Sequence, residues 1–344
     1  MNRHPKLQQN NPSGPRPDQK PDAAVAKVRQ VVVDADQAGQ RLDNFCMAQF
    51  RQVPKSRIYR AIRKGEVRVN GKRKKAEYRL QADDKVRLPP IVHDAQKSIP
   101  ASPSLIEQLE QQIIFENDQL LVLDKPSGVA VHGGSGVSHG VIEALREARK
   151  DQLHDVSKME LVHRLDRDTS GCLLIAKKRS WLRALHKQMR ENQIEKRYLA
   201  LVKGQWPHGR YVCDAPLAIT LRGQGERYAY VSENSNEKGA KSARTEFWPQ
   251  DFYQGATLMA AQLHTGRTHQ IRAHAKHLGH PVAGDERYGD AGFNRQLKHF
   301  GLRRLFLHAS FVAFTDPVTG DTQSFSAPLS TELKKVIDRF EAGG

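Results

Sequence analysis

Residues 163–171 read HRLDRDTSG, and no other stretch constrains the fold of this chain as tightly. Two arginines, two aspartates and a histidine are crowded together here. Met159-Glu160-Leu161-Val162 precedes them and the apolar run Cys172-Leu173-Leu174-Ile175-Ala176 follows. A charged knot between two apolar segments is a tight loop set between strands. The apolar runs take the core, and the charges need partners or solvent because unpaired burial is costly. Thr169-Ser170-Gly171 supplies a hydroxyl-rich turn before the second strand and holds the loop in one shape. A solvated turn with ion pairs is the plain alternative. Charge packed this densely against a core strand reads better as a site.

Around the knot, residues 111–342 read as one domain of mixed helices and strands. Ile113-Ile114-Phe115 and Leu120-Leu121-Val122-Leu123 are strands flanking an Asn117-Asp118 turn. Helices are expected over 141–149 and 181–191, the second N-capped by Ser180 and buried through Leu182, Leu185 and Met189. Residues 198–202 read as a buried strand. Helices and strands do not alternate regularly enough for a Rossmann or barrel fold, so the class is α+β with a mixed sheet.

The N-terminal part is organised differently. Residues 1–27 are rich in Asn, Gln, Pro and Lys and almost free of large apolar side chains, a composition expected to stay disordered. Residues 28–90 form a small self-contained unit. Leu42, Phe45, Cys46, Gln49 and Phe50 follow helical spacing, and a second helix over 56–64 turns Ile58, Ala61 and Ile62 inward. Gly65 ends that helix, residues 66–69 alternate as a strand, Asn70-Gly71 turns the chain, and Val86-Arg87-Leu88 closes the unit. Residues 91–110, with two prolines and no clear period, read as a linker.

Charge decides what this unit meets. Lysine and arginine outnumber acids 55 to 38 over 344 residues, a formal net charge of +17 that points to a polyanionic partner. Eleven of those cations fall between Arg51 and Lys75 against one acid, Glu66. Arg57, Arg60, Arg63 and Lys64 take the outer side of the second helix, and Lys72, Arg73 and Lys74 follow the turn. Solvation alone asks for less, so a phosphate-binding surface is the better reading. No apolar stretch approaches the roughly 20 residues of a spanning helix, and no signal-peptide core is present. Three separated cysteines (Cys46, Cys172, Cys213) give no disulfide framework or zinc spacing. A cytoplasmic protein is expected.

Two further constellations carry polar chemistry. Thr265-Gly266-Arg267-Thr268-His269-Gln270-Ile271-Arg272 opens a helix whose buried spacing is Ile271, Ala275 and Leu278. Histidines 264, 269, 274, 277 and 280 invite a metal, but no His-Glu-x-x-His arrangement or cysteine partner supports one. RNA-facing or hydrogen-bonded histidines are expected instead. Lys125-Pro126-Ser127-Gly128 and Val131-His132-Gly133-Gly134-Ser135-Gly136 suggest a phosphate loop, but no Gly-Lys-Ser/Thr step follows. A nucleophile elbow is also missing, so nucleotide and serine hydrolases fall away.

Helix, helix, strand, Asn-Gly turn and basic surface resemble the alpha-L RNA-binding module of a ribosomal small-subunit protein and many RNA-modifying enzymes. Lys125-Pro126-Ser127-Gly128, HRLDRDTSG, Glu195-Lys196-Arg197-Tyr198, GRTHQIRAH and Leu305-Phe306-Leu307-His308-Ala309, in this order, resemble the motifs of the RluA-type pseudouridine synthases. The run Gly-His-Pro-Val-Ala-Gly-Asp-Glu-Arg-Tyr-Gly is similar to the C-type branch, which acts on large-subunit ribosomal RNA. The resemblance implies a pseudouridine synthase catalytic domain that isomerises uridines without cofactor or metal. It makes Asp166 the catalytic aspartate, Arg272 its partner and Tyr198 the aromatic that packs on the target base. Large-subunit ribosomal RNA is the implied partner, with no DNA, no membrane and a monomeric enzyme.

From the residues themselves, Asp166 can attack the anomeric carbon, attack the pyrimidine, or help remove a sugar proton; a nearby cation such as Arg272 favours its ionised form. Asp168 is expected to hold the loop through ion pairs or backbone bonds. Tyr198 reads equally as a core side chain of its strand and as a stacking face for a flipped base. Arg164 can fill the gap that such a base leaves, and Arg267 is expected on RNA. A non-catalytic RNA-binding or ribosome-assembly protein is the competing reading. Binding alone has no use for a paired acid.

Overall fold

The computed structural model describes residues 28–50, 53–91, 101–133, 139–151, 156–223, 226–234 and 237–342. The expected disordered tail over 1–27, Arg51, residues 92–100 of the expected linker and Gly134-Ser135-Gly136 lie outside them. The described residues fall into two compact units, 28–91 and 101–342.

In the first unit β1 (Arg29–Val32), α1 (Leu42–Gln49), α2 (Lys55–Lys64), β2 (Arg68–Val69) and β3 (Lys85–Leu88) follow one another, and the strands pair antiparallel in the order β1-β3-β2. Leu42, Phe45, Ile58, Ile62, Val86 and Leu88 fill the space between helices and sheet. Gly65 ends α2 in the left-handed conformation at φ 73°, and its N–H caps carbonyls of the last turn. Asn70 and Gly71 both have positive φ, and the Asn70 amide donates to Asp84 at 2.7 Å and accepts from Lys85 N–H at 2.8 Å.

The second unit begins with α3 (Pro103–Glu110), β4 (Ile113–Glu116), β5 (Leu120–Lys125), α4 (Val141–Ala148), β6 (Glu160–Leu161), β7 (Ser170–Ala176) and α5 (Arg179–Arg190). It continues through β8 (Glu195–Lys203), β9 (Tyr211–Asp214), β10 (Leu217–Arg222), β11 (Glu226–Val231), β12 (Arg244–Tyr253), β13 (Ala256–Leu263) and α6 (Gln270–His277). It closes with α7 (Ala291–His299), β14 (Leu307–Thr315), β15 (Thr322–Ser326) and α8 (Thr331–Ala342). Among the described residues ten strands form one mixed sheet, in the order β4-β5-β7-β14-β8-β13-β12-β9, with β15 on β14 and β6 on β7. The hairpin β10–β11 stands apart as a second small sheet.

Both faces of the sheet are covered, which explains the unbroken apolar runs in β5 and β7. Leu121, Leu123, Leu173 and Ile175 face the side where α4 packs through Val141, Ile142 and Leu145. Leu120, Val122, Cys172 and Leu174 face the other side, against Trp181, Leu182 and Leu185 of α5. Strands β7 and β14 run parallel, with Ser170 opposite His308 and Gly171 opposite Ala309. Gly171 sits there at φ 109°, where a Cβ would strike the Ala309 carbonyl. No other residue type fits that approach without moving a strand.

Two expectations need correction. Residues 102–110 are not linker: Ser102 accepts from Leu105 N–H to cap α3, Pro103 opens it, and Leu109 is fully buried in the core of the second unit. Ser180 is not an N-cap. The chain leaves β7 so abruptly that α5 starts at Arg179, with Lys178 at the cap position and no side-chain cap bond.

Candidate active site

The charged knot is a loop between β6 and β7, and the segment after β5 latches it. Lys125, completely buried, donates from Nζ to the carbonyls of Pro126, Val129 and Arg167 at 2.8–2.9 Å. Burial pulls its pKa down to about 7, while three carbonyls match the three N–H bonds of the ammonium form. Gly128 N–H donates to the Arg167 carbonyl and Ser127 Oγ to that of Asp168. The Asp168 carboxylate pairs with the adjacent Arg167, at 3.1 Å in solvent. It is the backbone of Asp168, not its charge, that ties down the loop.

This latch presents Asp166 to a cavity of about 840 Å³. Its Oδ2 lies 3.3 Å from Arg272 Nη1 and 3.7 Å from His269 Nε2, with about a third of the side chain open. Arg272 projects from α6, and most of its guanidinium is spoken for. Nε and Nη2 form a fork on Asp285 at 2.6 and 2.8 Å, leaving Nη1 for Asp166. The Asp285 carboxylate is fully buried and also accepts the N–H groups of Arg287 and Tyr288 at 2.9 and 3.0 Å. Burial opposes both charges of this pair, but the hydrogen bonds between them overcome it: the Asp285 pKa is lowered and that of Arg272 is raised.

Behind the ion pair stands an aromatic support. The Tyr288 ring stacks on Tyr228 at 4.5 Å and lies 4.8 Å beneath the Arg272 guanidinium. The Tyr288 hydroxyl accepts from Ala229 N–H at 2.8 Å and shares a hydrogen bond with His269 Nδ1 at 2.9 Å. The ring's other nitrogen, Nε2, faces the Asp166 carboxylate. Burial lowers the pKa of His269, against the opposing pull of the Asp166 charge. The same residue adopts a left-handed backbone, φ 53°, at the start of α6, and such strain persists only where the surroundings hold it.

Tyr198 lines the same cavity from β8. It is 6% exposed, and burial, followed by the charge of Asp166, pushes its hydroxyl pKa up, so the group stays protonated. Arg164 and Arg267 lie exposed along the cavity, Arg267 steadied by a bond to the Ser242 carbonyl at 3.0 Å. The sequence thus names five residues that the fold brings to one cavity: Asp166, Arg272 and Tyr198, with Arg164 and Arg267 at its exposed side. It misses Asp285 and Tyr288, and it leaves His269 undifferentiated among the neighbouring histidines.

Four of those histidines have separate duties. His264 meets Glu246, His269 serves the site, buried His274 bridges Thr245 and the Ala215 carbonyl, and His280 donates to the Lys203 carbonyl. The basic residues of the other unit also differ in their surroundings. Arg60, Arg63, Lys64, Lys72 and Arg73 are exposed, Lys74 covers the Tyr78 ring at 4.4 Å, and Arg57 is paired with Glu66 at 2.8 Å.

Comparison with known proteins bears on both units. The sequence profile of the family described as RNA pseudouridylate synthase matches residues 119–277, and that of the S4 domain matches residues 40–86. The ribosomal large subunit pseudouridine synthase C of Pasteurella multocida is 52% identical over 312 residues, covering 90% of this chain and 93% of that protein. The protein of the same name from Escherichia coli K12 is 50% identical over 317 residues, 91% of this chain and 97% of its own. Among solved structures, human RNA pseudouridylate synthase domain containing 4 shares the fold, with a TM-score of 0.57 at 23% identity over 69% of this chain and 96% of that one. Near-complete coverage at half identity, with the aspartate loop, the arginine helix and the cavity tyrosine assembled in one site, shows that the chain belongs to the RluA-type family of RNA pseudouridine synthases.

Proposed function

We propose that this chain isomerises uridines of large-subunit ribosomal RNA to pseudouridine, acting in the cytoplasm as a synthase of the C type. One observation carries the reading of the site: Asp166 and Arg272, 106 residues apart in sequence, meet at 3.3 Å beside Tyr198 in a cavity with room for a nucleotide. Two relatives of half identity bear names that specify the ribosomal large subunit. Among the described residues no helix is long and apolar enough to cross a membrane.

The uridine swings out of folded RNA and its base stacks on Tyr198, while Arg164 fills the vacated place. Asp166 is the reacting carboxylate. The C1′–N1 bond breaks with its electron pair going to the uracil, the ring turns, and C5 bonds to C1′. C5 then loses its proton and N1 gains one, so the product is an isomer of the substrate and no other reactant is consumed. Arg272 holds Asp166 in place, and the buried hydroxyl of Tyr198, uncharged, offers a face without competing negative charge. The basic surface of the S4 domain supplies phosphate contacts.

Carbodiimide mapping of large-subunit RNA, from cells lacking the gene and from cells complemented with it, tests the reading. Pseudouridine stops that vanish and return are expected; an unchanged map overturns it.

A further inference from the structure

Among the described residues, one buried cation that lines the cavity has no partner. Lys196 lies two residues before Tyr198 on β8, so the two side chains share a face of the strand, and both line the cavity. Lys196 is 9% exposed, and among the described residues no hydrogen bond or ion pair engages its ammonium. Among the described residues the other lysine and arginine side chains buried to this degree are paired: Lys125 by three carbonyls, Arg149 by Glu110 and Glu116, Arg272 by Asp285 and Asp166. Burial alone lowers the pKa of Lys196, with no acid near enough to oppose it.

The neighbours offer nothing either. His163, also lining the cavity, already accepts the Leu174 N–H on Nε2 at 3.2 Å, and burial holds its pKa down at about 3. Met189 is apolar. A lysine this buried, whose ammonium opens on the cavity and meets no hydrogen-bond or ion-pair partner among the described residues, is kept where something in the cavity completes it.

Depth decides what that is. RNA phosphates ride outside the flipped nucleotide and meet the exposed guanidiniums of Arg164 and Arg267. What reaches the floor beside Tyr198 is the base. We propose that Lys196 donates a hydrogen bond to a carbonyl oxygen of the uracil stacked on Tyr198 and stabilises the negative charge that the uracil acquires when C1′–N1 breaks. The bonding pair spreads from N1 onto the carbonyl oxygens, and the ammonium keeps its proton throughout. A fixed donor aimed where charge develops favours the transition state over the ground state. An acidic partner in the protein would cancel this effect, which accounts for its absence beside Lys196.

The assignment rests on the uridine-isomerase reading, and the experiment separates the two. Substrate RNA is assembled by ligation with uridine, 2-thiouridine or 4-thiouridine at a mapped target. Single-turnover rates are then measured at saturating RNA with the parent and with Lys196→Met. Loss of one such donor is expected to slow the uridine reaction by about 10²-fold or more. In the parent, sulfur at the contacted oxygen, a poor acceptor, is expected to slow turnover about tenfold, and whether position 2 or 4 responds identifies the oxygen. Lys196→Met should be indifferent to that same sulfur. A parental rate in the variant overturns the proposal, as does an equal sulfur effect in both enzymes. So does a defect confined to RNA affinity and its salt dependence, which would make Lys196 a phosphate contact. Parental indifference to both sulfurs overturns it without relying on how the variant folds. A parent that fails to turn over uridine RNA takes down the isomerase reading and this proposal with it.

Discussion

Asp285→Asn is the sharpest perturbation of the geometry around the reacting carboxylate. The change preserves shape and leaves the side-chain oxygen able to accept from the Arg287 and Tyr288 amides, but it removes the charge that faces two arms of the Arg272 guanidinium. Arg272 is 8% exposed, so its charge is then left with Asp166 alone, through one contact at 3.3 Å. Removing one partner of a buried ion pair costs about 3–5 kcal/mol, and the surviving bonds place this case near the lower end, ~3 kcal/mol. At about 2–4 °C per kcal/mol for a domain of some 250 residues, the melting temperature should fall by about 6–12 °C. Freed of its fork, the guanidinium turns toward Asp166, and a displacement of about 1 Å in a reacting constellation costs about 10²-fold in rate. Urea unfolding gives the first number. Single-turnover isomerisation at saturating RNA, at a temperature where the variant is fully folded, gives the second. RNA affinity should be unchanged, because the exposed arginines are untouched. Parental stability together with a parental rate would show that the fork neither pairs Arg272 nor sets its aim.

Three further outcomes follow from other parts of the molecule. Replacing exposed Arg60, Arg63 and Lys64 by alanine should weaken RNA binding and flatten the log–log salt slope by about 2–3, at ~0.7–0.9 for each phosphate no longer neutralised, with an unchanged single-turnover rate; salt-series titrations read this directly. Buried His308 donates from Nε2 to the Ala327 carbonyl and accepts from Ser170 on Nδ1, and burial pushes its pKa down from 6.5 to about 4. Between those pH values the unfolded chain takes up a proton that the folded chain refuses. Its contribution to stability therefore falls as pH drops through that window, by ~1.4 kcal/mol per pH unit, and levels off below it; His308→Gln should remove that slope from the pH dependence of urea unfolding. Gly171→Ala forces a Cβ at φ 109° against the Ala309 carbonyl, which should cost about 1–3 kcal/mol, lower the melting temperature and slow isomerisation by displacing the loop that carries Asp166.

What the sequence discloses follows from how locally each feature is determined. The aspartate loop is legible because charge inside an apolar context has few uses, and α2 because its apolar spacing, basic outer face and Gly65 all agree. α3 escapes notice because eight residues carry too little period to stand out, and only tertiary burial of Leu109 reveals it. Ser180 has the right chemistry for a cap, but the path of the chain out of β7 starts the helix earlier. Asp285 is hidden for a different reason. It reaches Arg272 by way of a turn at Gly284, φ 70°, whose close approach to the Arg304 carbonyl is a long-range contact. Lys196 is placed beside Tyr198 by strand alternation alone, yet its lack of a partner appears only once every neighbour is in position.

The most direct measurement is tritium release from RNA tritiated at uridine C5, with the parent and Asp166→Asn compared at saturating enzyme. Asparagine keeps the shape of the loop and its latch to Lys125 while removing the ionised carboxylate. The parent should release tritium as C5 bonds to the sugar, and the variant should release none while binding the RNA as the parent does. Turnover by Asp166→Asn at a rate near that of the parent would contradict the assignment of Asp166 as the reacting group.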